Sequence, residues 1–459
     1  MRPTLHTDLR HIFVALTALV VTATAPQAAM AEALTLDAAR AALHTSNADA
    51  ARAEVAIQRV ATARARARAG WMPSVDLEAF AMVNDREQTL DIDNPYAPLE
   101  PWLRAAEAGG APDPTALIEA PGTSLVSQHQ LDAGATLTVT QPLWSPGARA
   151  AASVADAAVD LAGASRDEVL WQLDAALIDL WFGAVALDRR IEVAEGNVEL
   201  ARIRYERATR ADDLGVGVAF EITRAEVALS AAQRDLQTAR IEHQRVIDAI
   251  AVLLHRAPDF TIDAPEPVDL TRDADALVRT ALSSRPDVAR VRSSALLTES
   301  GARTVRAAAV PVVALRANGQ LQRPTDLMTD VARYNVQLVA SWSLYDGGDR
   351  AARLRSIDHE VAEQAFALDA LIERATGDVR QTLLRLDEAE LNRDQAAREV
   401  ALAEANLEVT RRAREAGAAT DLDLEAAIEQ RYVAELGFAA ADVAVVAEQH
   451  RLRHRVAGW

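Results

Sequence analysis

The sequence predicts a mainly helical protein with a smaller β-sheet part, built as a tandem repeat of a strand pair followed by two long helices. A matching strand-to-helix segment recurs about 200 positions later, and a long heptad pattern without proline follows each copy. Composition agrees, because aromatic residues are only 4% of the 459 positions while charged residues reach 25%. Such a balance is typical of long helices.

The repeat is visible in three pairs of matching segments. These are residues 143–149 with 344–350, residues 70–75 with 308–313, and residues 214–221 with 416–423. A stretch rich in proline and aspartate, residues 257–269, is typical of a linker. We therefore divide the chain into a leader, residues 1–31, a first repeat, residues 32–260, and a second repeat, residues 261–459. Each repeat is expected to run helix, strand, loop, strand, very long helix, tight turn and long helix.

The leader has the three parts of a secretory signal peptide. Arg2 and Arg10 precede the apolar run 12–21, which is too short to span a bilayer, and small residues around Met30 predict cleavage after Ala31. No later stretch has eighteen apolar residues in a row, so we expect no transmembrane helix in the mature chain. The chain has no cysteine, which excludes a lipid anchor, disulfides and thiolate metal sites.

The long helices carry an apolar seam with spacing three and four. Its members in the first repeat are Leu170, Leu173, Leu177, Leu180, Ala184, Leu187, Ile191, Ala194, Val198 and Ala201. A seam of this kind predicts left-handed side-by-side packing of helices. The pattern from about 149 to 213 predicts a helix of roughly 95 Å, and residues 350–415 predict its counterpart.

Four segments alternate between apolar and polar residues, namely 75–79, 136–141, 312–321 and 335–344. Alternation over about ten residues fits a barrel wall with one face to lipid, and it also fits a one-sided sheet in a soluble protein. Four strands do not close a barrel, and open strand edges are an aggregation hazard. Closure by several copies would remove those edges.

The two strand-to-helix junctions are the most specific segments. They run from Pro142 through Gly147, and from Ser343 through Gly347 and Gly348. Together with the repeat, they make the chain from 34 to 456 resemble the TolC-like outer-membrane efflux family. The resemblance implies a homotrimer with a twelve-stranded barrel in the outer-membrane lipid and a helical tunnel in the periplasm. It also implies a passive exit duct for small molecules or proteins, joined to an inner-membrane pump by a periplasmic adaptor protein.

The resemblance assigns the adaptor contact to the two turns between long helices. The turn residues are Leu214, Gly215, Val216, Gly217 and Val218 in the first repeat, and Ala416, Gly417, Ala418, Ala419 and Thr420 in the second. Glycine allows the positive φ that a reversal between helices needs. Any helical hairpin needs such a turn, so a purely structural role stays open.

The resemblance also implies an acidic pore constriction six and nine residues after Gly417. Asp423 matches the first position, whereas Ala426 departs from the second. Glu221 is the counterpart of Asp423 in the first repeat. A ring of Asp423 carboxylates in a trimer would attract cations. The alternative is an aspartate that caps its own helix.

Other function classes find little support in the sequence. The net charge of -19 argues against nucleic acid as a partner, and without lysine the chain has no phosphate-binding loop. We expect no enzyme and no cofactor. A soluble periplasmic coiled-coil adaptor or spacer protein remains the alternative function.

A metal-binding periplasmic protein is the third candidate. It rests on the acidic helix faces and on His450 and His454, which lack a third ligand nearby. A surface or equatorial helix explains that pair better, and His243 is expected to pack in the seam. The long segment 85–130 is interpreted as an extracellular or strand-flanking insertion.

Overall fold

The helices and strands occur in the same order in the two halves of the chain, except that the first half has two additional strands and a short helix. The structure is a computed structural model that describes residues 32–92, 99–110, 123–214, 219–323 and 331–457, so the leader lies outside the described residues. The first half contains β1 (Glu32–Leu34), α1 (Leu36–Ser46), α2 (Ala48–Ala69), β2 (Ser74–Val83), β3 (Gln88–Ile92), α3 (Glu100–Glu107), β4 (Thr123–Gln128), β5 (Leu131–Trp144), α4 (Pro146–Asp213) and α5 (Ala219–Leu254). The second half contains β6 (Phe260–Ile262), α6 (Ala274–Ser284), α7 (Pro286–Ala307), β7 (Val312–Arg323), β8 (Ala332–Ser341), α8 (Asp349–Glu415) and α9 (Asp421–Ala457).

The two longest described helices, α4 and α8, confirm the predicted helical spans. They contain 68 and 67 residues, which corresponds to about 100 Å each. Each packs along the helix that follows it, α4 along α5 and α8 along α9. The predicted seam is largely buried, with Leu170, Leu177, Ala184, Ala194 and Ala201 all inside the structure.

The helical part before each strand pair differs from the expectation, because two helices stand where one was predicted. Asn47 is extended and ends α1, and its side chain accepts from the backbone N–H groups of Asp49 and Ala50 at the start of α2. In the second half Arg285 is extended because Pro286 follows it. Both breaks therefore have a local chemical cause.

The central sheet is antiparallel, with the strand order β2-β5-β7-β8. Leu77, Leu137 and Tyr334 share one row across it, whereas Thr138 and Asn318 belong to the neighbouring row. The Thr138 hydroxyl donates to the Asn318 side chain at 3.1 Å. The alternation predicted from the sequence is thus present as one apolar and one polar face.

The sheet has two open edges, because β2 and β8 each have one neighbouring strand in the described part of the chain. Apolar residues of these edge strands are exposed, with Leu77 72% and Leu338 67% accessible. The strand β8 ends at Ser341 rather than near 344, so Trp342 follows the strand. The insertion 85–130 contains the antiparallel pair β3–β4 and the short helix α3.

The main core lies where the short helices meet the long hairpins. Leu43 of α1, Trp181 of α4 and Ile250 of α5 are fully buried in one cluster, and α6, α8 and α9 form a second cluster. The short parallel pair β1–β6 joins the two halves beside this core. We call this region the equator.

One described helix, α4, is long and apolar enough to cross a membrane by length and composition alone. Within its most apolar window of 18 residues, 44% of the residues are buried inside the chain.

Two serines at equivalent places hold the ends of the long hairpins. The Ser46 hydroxyl donates to the Leu254 carbonyl at 2.7 Å, and the Ser284 hydroxyl donates to the Val456 carbonyl at 2.6 Å. Each contact satisfies a carbonyl at a helix C-terminus, which has no partner within its own helix.

We predict that Ser46→Ala and Ser284→Ala each lower the free energy of unfolding by about 1 kcal/mol. The sites are far apart, so the double variant should lose about 2 kcal/mol. Guanidinium unfolding of the detergent-solubilised protein, followed by circular dichroism, measures this loss. Ser230→Ala, at an exposed position of α5, is the control, and an equal loss there would contradict the assigned role.

Candidate functional site

The two strand-to-helix junctions use equivalent hydrogen bonds made by different side chains. The Gln141 amide donates to the Trp71 carbonyl at 3.0 Å, and the Trp342 indole donates to the Ala309 carbonyl at 2.9 Å. Gln141 and Trp342 occupy matching positions of the repeat. Each junction therefore fixes the end of a strand to the segment that follows the preceding helix.

The starts of the long helices are capped at matching positions. The Ser145 hydroxyl accepts from the Ala148 N–H at 3.3 Å, and the Asp346 carboxylate accepts from the N–H groups of Gly348 and Arg350 at 3.1 and 3.2 Å. Such caps satisfy donors that the first helical turn leaves unpaired.

The predicted junction residues have different backbone roles. Gly347 and Gly348 have φ of 69° and 90°, which only glycine adopts readily. Gly147 lies inside α4, and an added Cβ would meet nothing within 4 Å, so a glycine is not required there. Pro142 lies where the β5–β7 register shifts, because proline has no N–H for the ladder.

Equivalent arginines bind each helix start to the strand end by different means. The Arg149 guanidinium lies 4.9 Å from the Trp71 ring and 4.8 Å from the Trp144 ring. Arg350 instead pairs with Asp346 at 2.5 Å and donates to the Ser343 carbonyl at 3.3 Å. Both arrangements hold a strand and a helix at a fixed relative orientation.

The second helical turn has the predicted left-handed glycine. Gly417 has φ of 74°, and its N–H donates to the Arg414 carbonyl while the Ala418 N–H donates to the Ala413 carbonyl at 2.8 Å. This pair of bonds is a Schellman motif, which ends α8. Ala416 and Ala418 are exposed and Ala419 is half-buried.

The first helical turn is only partly described. Leu214 follows the end of α4 and is 79% exposed. Gly215, Val216, Gly217 and Val218 lie outside the described residues. Their predicted role in a contact stays a prediction.

Asp423 caps the start of α9 within one chain. Its carboxylate accepts from the Thr420 N–H at 2.8 Å and from the Thr420 hydroxyl at 2.6 Å, while its own N–H donates back to that hydroxyl at 3.2 Å. This reciprocal pair is a capping box. The hydrogen bonds from Thr420 lower the pKa of Asp423, which is exposed, so the carboxylate carries its charge at neutral pH.

The two tips lie at the same end of the helices. Arg414 of α8 pairs with Asp421, and its pKa is raised first by that hydrogen bond and further by the charge of Glu221 on α5. Arg224 of α5 pairs with Glu425 of α9 at 2.5 Å. The Arg224–Glu425 ion pair therefore links the first hairpin to the second beside the predicted constriction residues.

The histidine pair near the C-terminus is buried at the equator, which is one of the two expected locations, and it is not at the surface. His454 is 2% exposed and stacks on the Trp171 ring with centroids 5.1 Å apart, while His450 lies against the Phe182 ring. Within the described ranges, no group of three or more histidine or acidic side chains could hold a metal ion. His243, which was expected to pack in the seam, lies half-buried 3.0 Å from Asp188.

Two buried charge clusters at the equator gave no signal in the heptad pattern. Asp174 of α4 accepts from Arg40 at 2.9 Å and contacts the His44 ring nitrogen at 2.8 Å, both on α1. Arg285 pairs with Asp287 at 2.7 Å and with Asp378 of α8 at 3.4 Å. These pairs join residues that are far apart in the sequence, so the sequence pattern does not show them.

Burial of His454 predicts a loss of stability in acid. Burial, and then the nearby Arg455 charge, lower the pKa of His454 to about 3. The unfolded chain takes up this proton below pH 6.5 whereas the folded chain does not, so stability falls as the pH drops below 6.5. By pH 5 this residue should lower the free energy of unfolding by about 2 kcal/mol.

The variant His454→Gln should remove that part of the pH dependence. Unfolding of the wild type and the variant at pH 7 and pH 5 measures the difference between them. His359→Gln, at an exposed position of α8, is the matched control. An unchanged pH slope in His454→Gln would contradict the assigned burial effect.

Comparison with known proteins supports the geometry. Residues 277–458 match the family model described as outer membrane efflux protein. The fold is similar to the outer-membrane channel OprN, with a TM-score of 0.69 and 18% identity over 92% of this chain and 90% of that one. It is also similar to the outer membrane protein VceC from Vibrio cholerae, with a TM-score of 0.69 and 15% identity over 92% and 96% of the two chains.

The open state of the MtrE outer membrane channel from Neisseria gonorrhoeae gives a TM-score of 0.66 and 15% identity over 92% of this chain and 88% of that one. At these identities the likeness concerns the fold. A search of curated proteins finds no match.

Proposed function

We propose that the chain is a member of the outer membrane efflux protein family, whose model matches residues 277–458, and that it forms a passive exit duct from the periplasm across the outer membrane. The observation that carries this proposal is the sheet, whose exposed apolar face continues directly into helices of 68 and 67 residues. An apolar face suits lipid, and long paired helices suit a periplasmic tunnel. A soluble adaptor or spacer, which is the alternative function, would not need an exposed apolar sheet face.

We further propose that the working duct is a homotrimer. The strands β2 and β8 leave two open edges in the described chain, and lipid offers no hydrogen bonds to unpaired backbone groups. Joining the β2 edge of one copy to the β8 edge of the next would satisfy both edges. Three copies of a four-stranded sheet make a closed barrel of twelve strands.

The helical tips are the proposed contact with a periplasmic adaptor, which would couple the duct to an inner-membrane pump. Small exposed residues around Gly417, among them Ala416 and Ala418, leave the second tip free of bulky side chains. A helical hairpin of a partner could approach such a tip closely. The energy for export would come from the pump, and the cargo would be small molecules or proteins.

Asp423 is the proposed constriction residue, with Glu221 as its counterpart in the first repeat. The capping box fixes the Asp423 carboxylate at the start of α9, beside the Arg224–Glu425 ion pair that joins the two hairpins. In a trimer, three such carboxylates around one axis would form a ring that attracts cations. Capping and constriction are compatible roles for a single carboxylate.

The Gly417→Val variant tests the tip assignment. A β-branched residue in the left-handed conformation costs about 1–2 kcal/mol, so the Schellman turn should rearrange. We expect export to fall at least tenfold (about 1.4 kcal/mol at the tip contact), while folded trimer remains in the outer membrane. Dye accumulation in cells that lack their own copy measures export, and heat-modifiable gel mobility measures the trimer.

Gly377→Val is the matched control for the tip. Gly377 lies inside α8 with an ordinary φ, and an added Cβ would meet nothing within 4 Å. That variant should export normally. Normal export by Gly417→Val would refute the contact role.

The Asp423→Asn variant tests the constriction. The amide oxygen of asparagine can still accept from the Thr420 N–H within the capping box, so the variant removes charge and keeps the turn. Block of the channel by divalent cations in planar bilayers should weaken at least about tenfold, because three charges are lost together. Asp358→Asn, at an exposed site on α8, is the control and should leave the block unchanged. A divalent-cation block of Asp423→Asn equal to that of the wild type would contradict the proposed carboxylate ring.

A further inference from the structure

A small polar cavity lies at the equator between α4, α8 and α9. Its volume is about 210 Å³, and its polar lining consists of Asp179, Thr382, Arg385, Glu448, Arg451, His454 and Arg455. Pockets for drug-sized molecules are larger, about 300–1,000 Å³. The cavity therefore suits a small ion rather than an efflux cargo.

Two buried polar groups of the lining lack a hydrogen-bond partner within the described residues. Neither ring nitrogen of His454 is bonded, although the side chain is 2% exposed. The Oε2 atom of Glu448 is also buried without a partner. Leaving such groups unsatisfied costs about 1–3 kcal/mol each, so a bound species that offers both an acceptor and a donor would stabilise this site.

The charge of the lining favours an anion. Arg451 already bonds Asp179 at 2.8 Å and the other oxygen of Glu448 at 2.5 Å. Arg385 and Arg455 have no carboxylate partner in the described part of the chain, and Arg455 lies 5.5 Å from the Trp171 ring. Two guanidinium groups are therefore available, and such groups bind oxyanions through charge-assisted hydrogen bonds.

We propose that this cavity binds hydrogen phosphate. Arg385, Arg455 and the single N–H of neutral His454 donate to the phosphate oxygens. Glu448 Oε2 accepts from the hydroxyl of the phosphate, which a sulfate ion lacks at neutral pH. The bound ion contacts helices of both repeats, because His454 and Arg455 lie on α9, Arg385 lies on α8, and Ala175, Ile178 and Asp179 of the wall lie on α4.

Titration calorimetry of the mature full-length protein in detergent, with inorganic phosphate as the probe at constant ionic strength in chloride, tests the site. We expect saturable binding that is at least about tenfold tighter than binding of sulfate, since sulfate leaves Glu448 unpaired. An absence of saturable phosphate binding would mean that water fills the cavity and would overturn the proposal. Equal affinity for sulfate would overturn the role of Glu448.

Two variants separate the site from general charge effects. Arg385→Gln should weaken phosphate binding about tenfold by removing a charged donor, and because Arg385 is exposed the fold should survive. Arg398→Gln makes the same change at an exposed site of α8 outside the cavity, and an equal loss there would refute the site. Glu448→Gln should abolish the preference for phosphate over sulfate, and a retained preference would refute the selecting contact.

Discussion

The unpaired backbone groups at the two edges of the sheet are the constraint on which the rest of the structure depends. The four strands have one apolar face and open edges at β2 and β8, and in lipid each unpaired N–H or C=O costs several kcal/mol. In the proposed trimer, strands of neighbouring copies would satisfy these groups. Its two halves meet at the β5–β7 pair in the middle of the sheet, which leaves both edges free for neighbouring copies.

Both repeats solve the same problem at the passage from strand to helix, but with different side chains. Gln141 and Trp342 donate to backbone carbonyls at equivalent places, and Ser145 and Asp346 cap equivalent helices. The repeat thus keeps the backbone acceptors and the positions of the donors, and it lets the donor chemistry vary. A sequence alignment of the halves consequently locates the junctions, although Gly347 and Gly348 have positive φ whereas Gly147, which aligns with Gly348, lies inside α4.

Much of the fold follows from the sequence because its signals are local or periodic. The heptad seam through Leu177 and Ala184 shows which face of the helix packs against its neighbour. The strand alternation shows which face of the sheet is apolar. Gly417 is predictable because a turn needs its φ. The burial of His454 is not predictable in this way, since α9 packs against α4, α6 and α8 together and a helix contacted on several sides shows no single stripe. The shared location of Glu221 and Arg414 likewise depends on how the two hairpins pack.

The buried charges at the equator fix a helix register that the apolar seam alone does not determine. A heptad seam packs almost equally well after a slip of seven residues, which would displace a helical tip by about 10 Å. Asp174 can bond α1 through Arg40 in only one register, and Asp378 can reach Arg285 in only one register. Buried polar pairs are known to fix register in coiled coils at some cost in stability. We infer that these pairs fix the positions of the short helices α1 and α7 along the long helices α4 and α8.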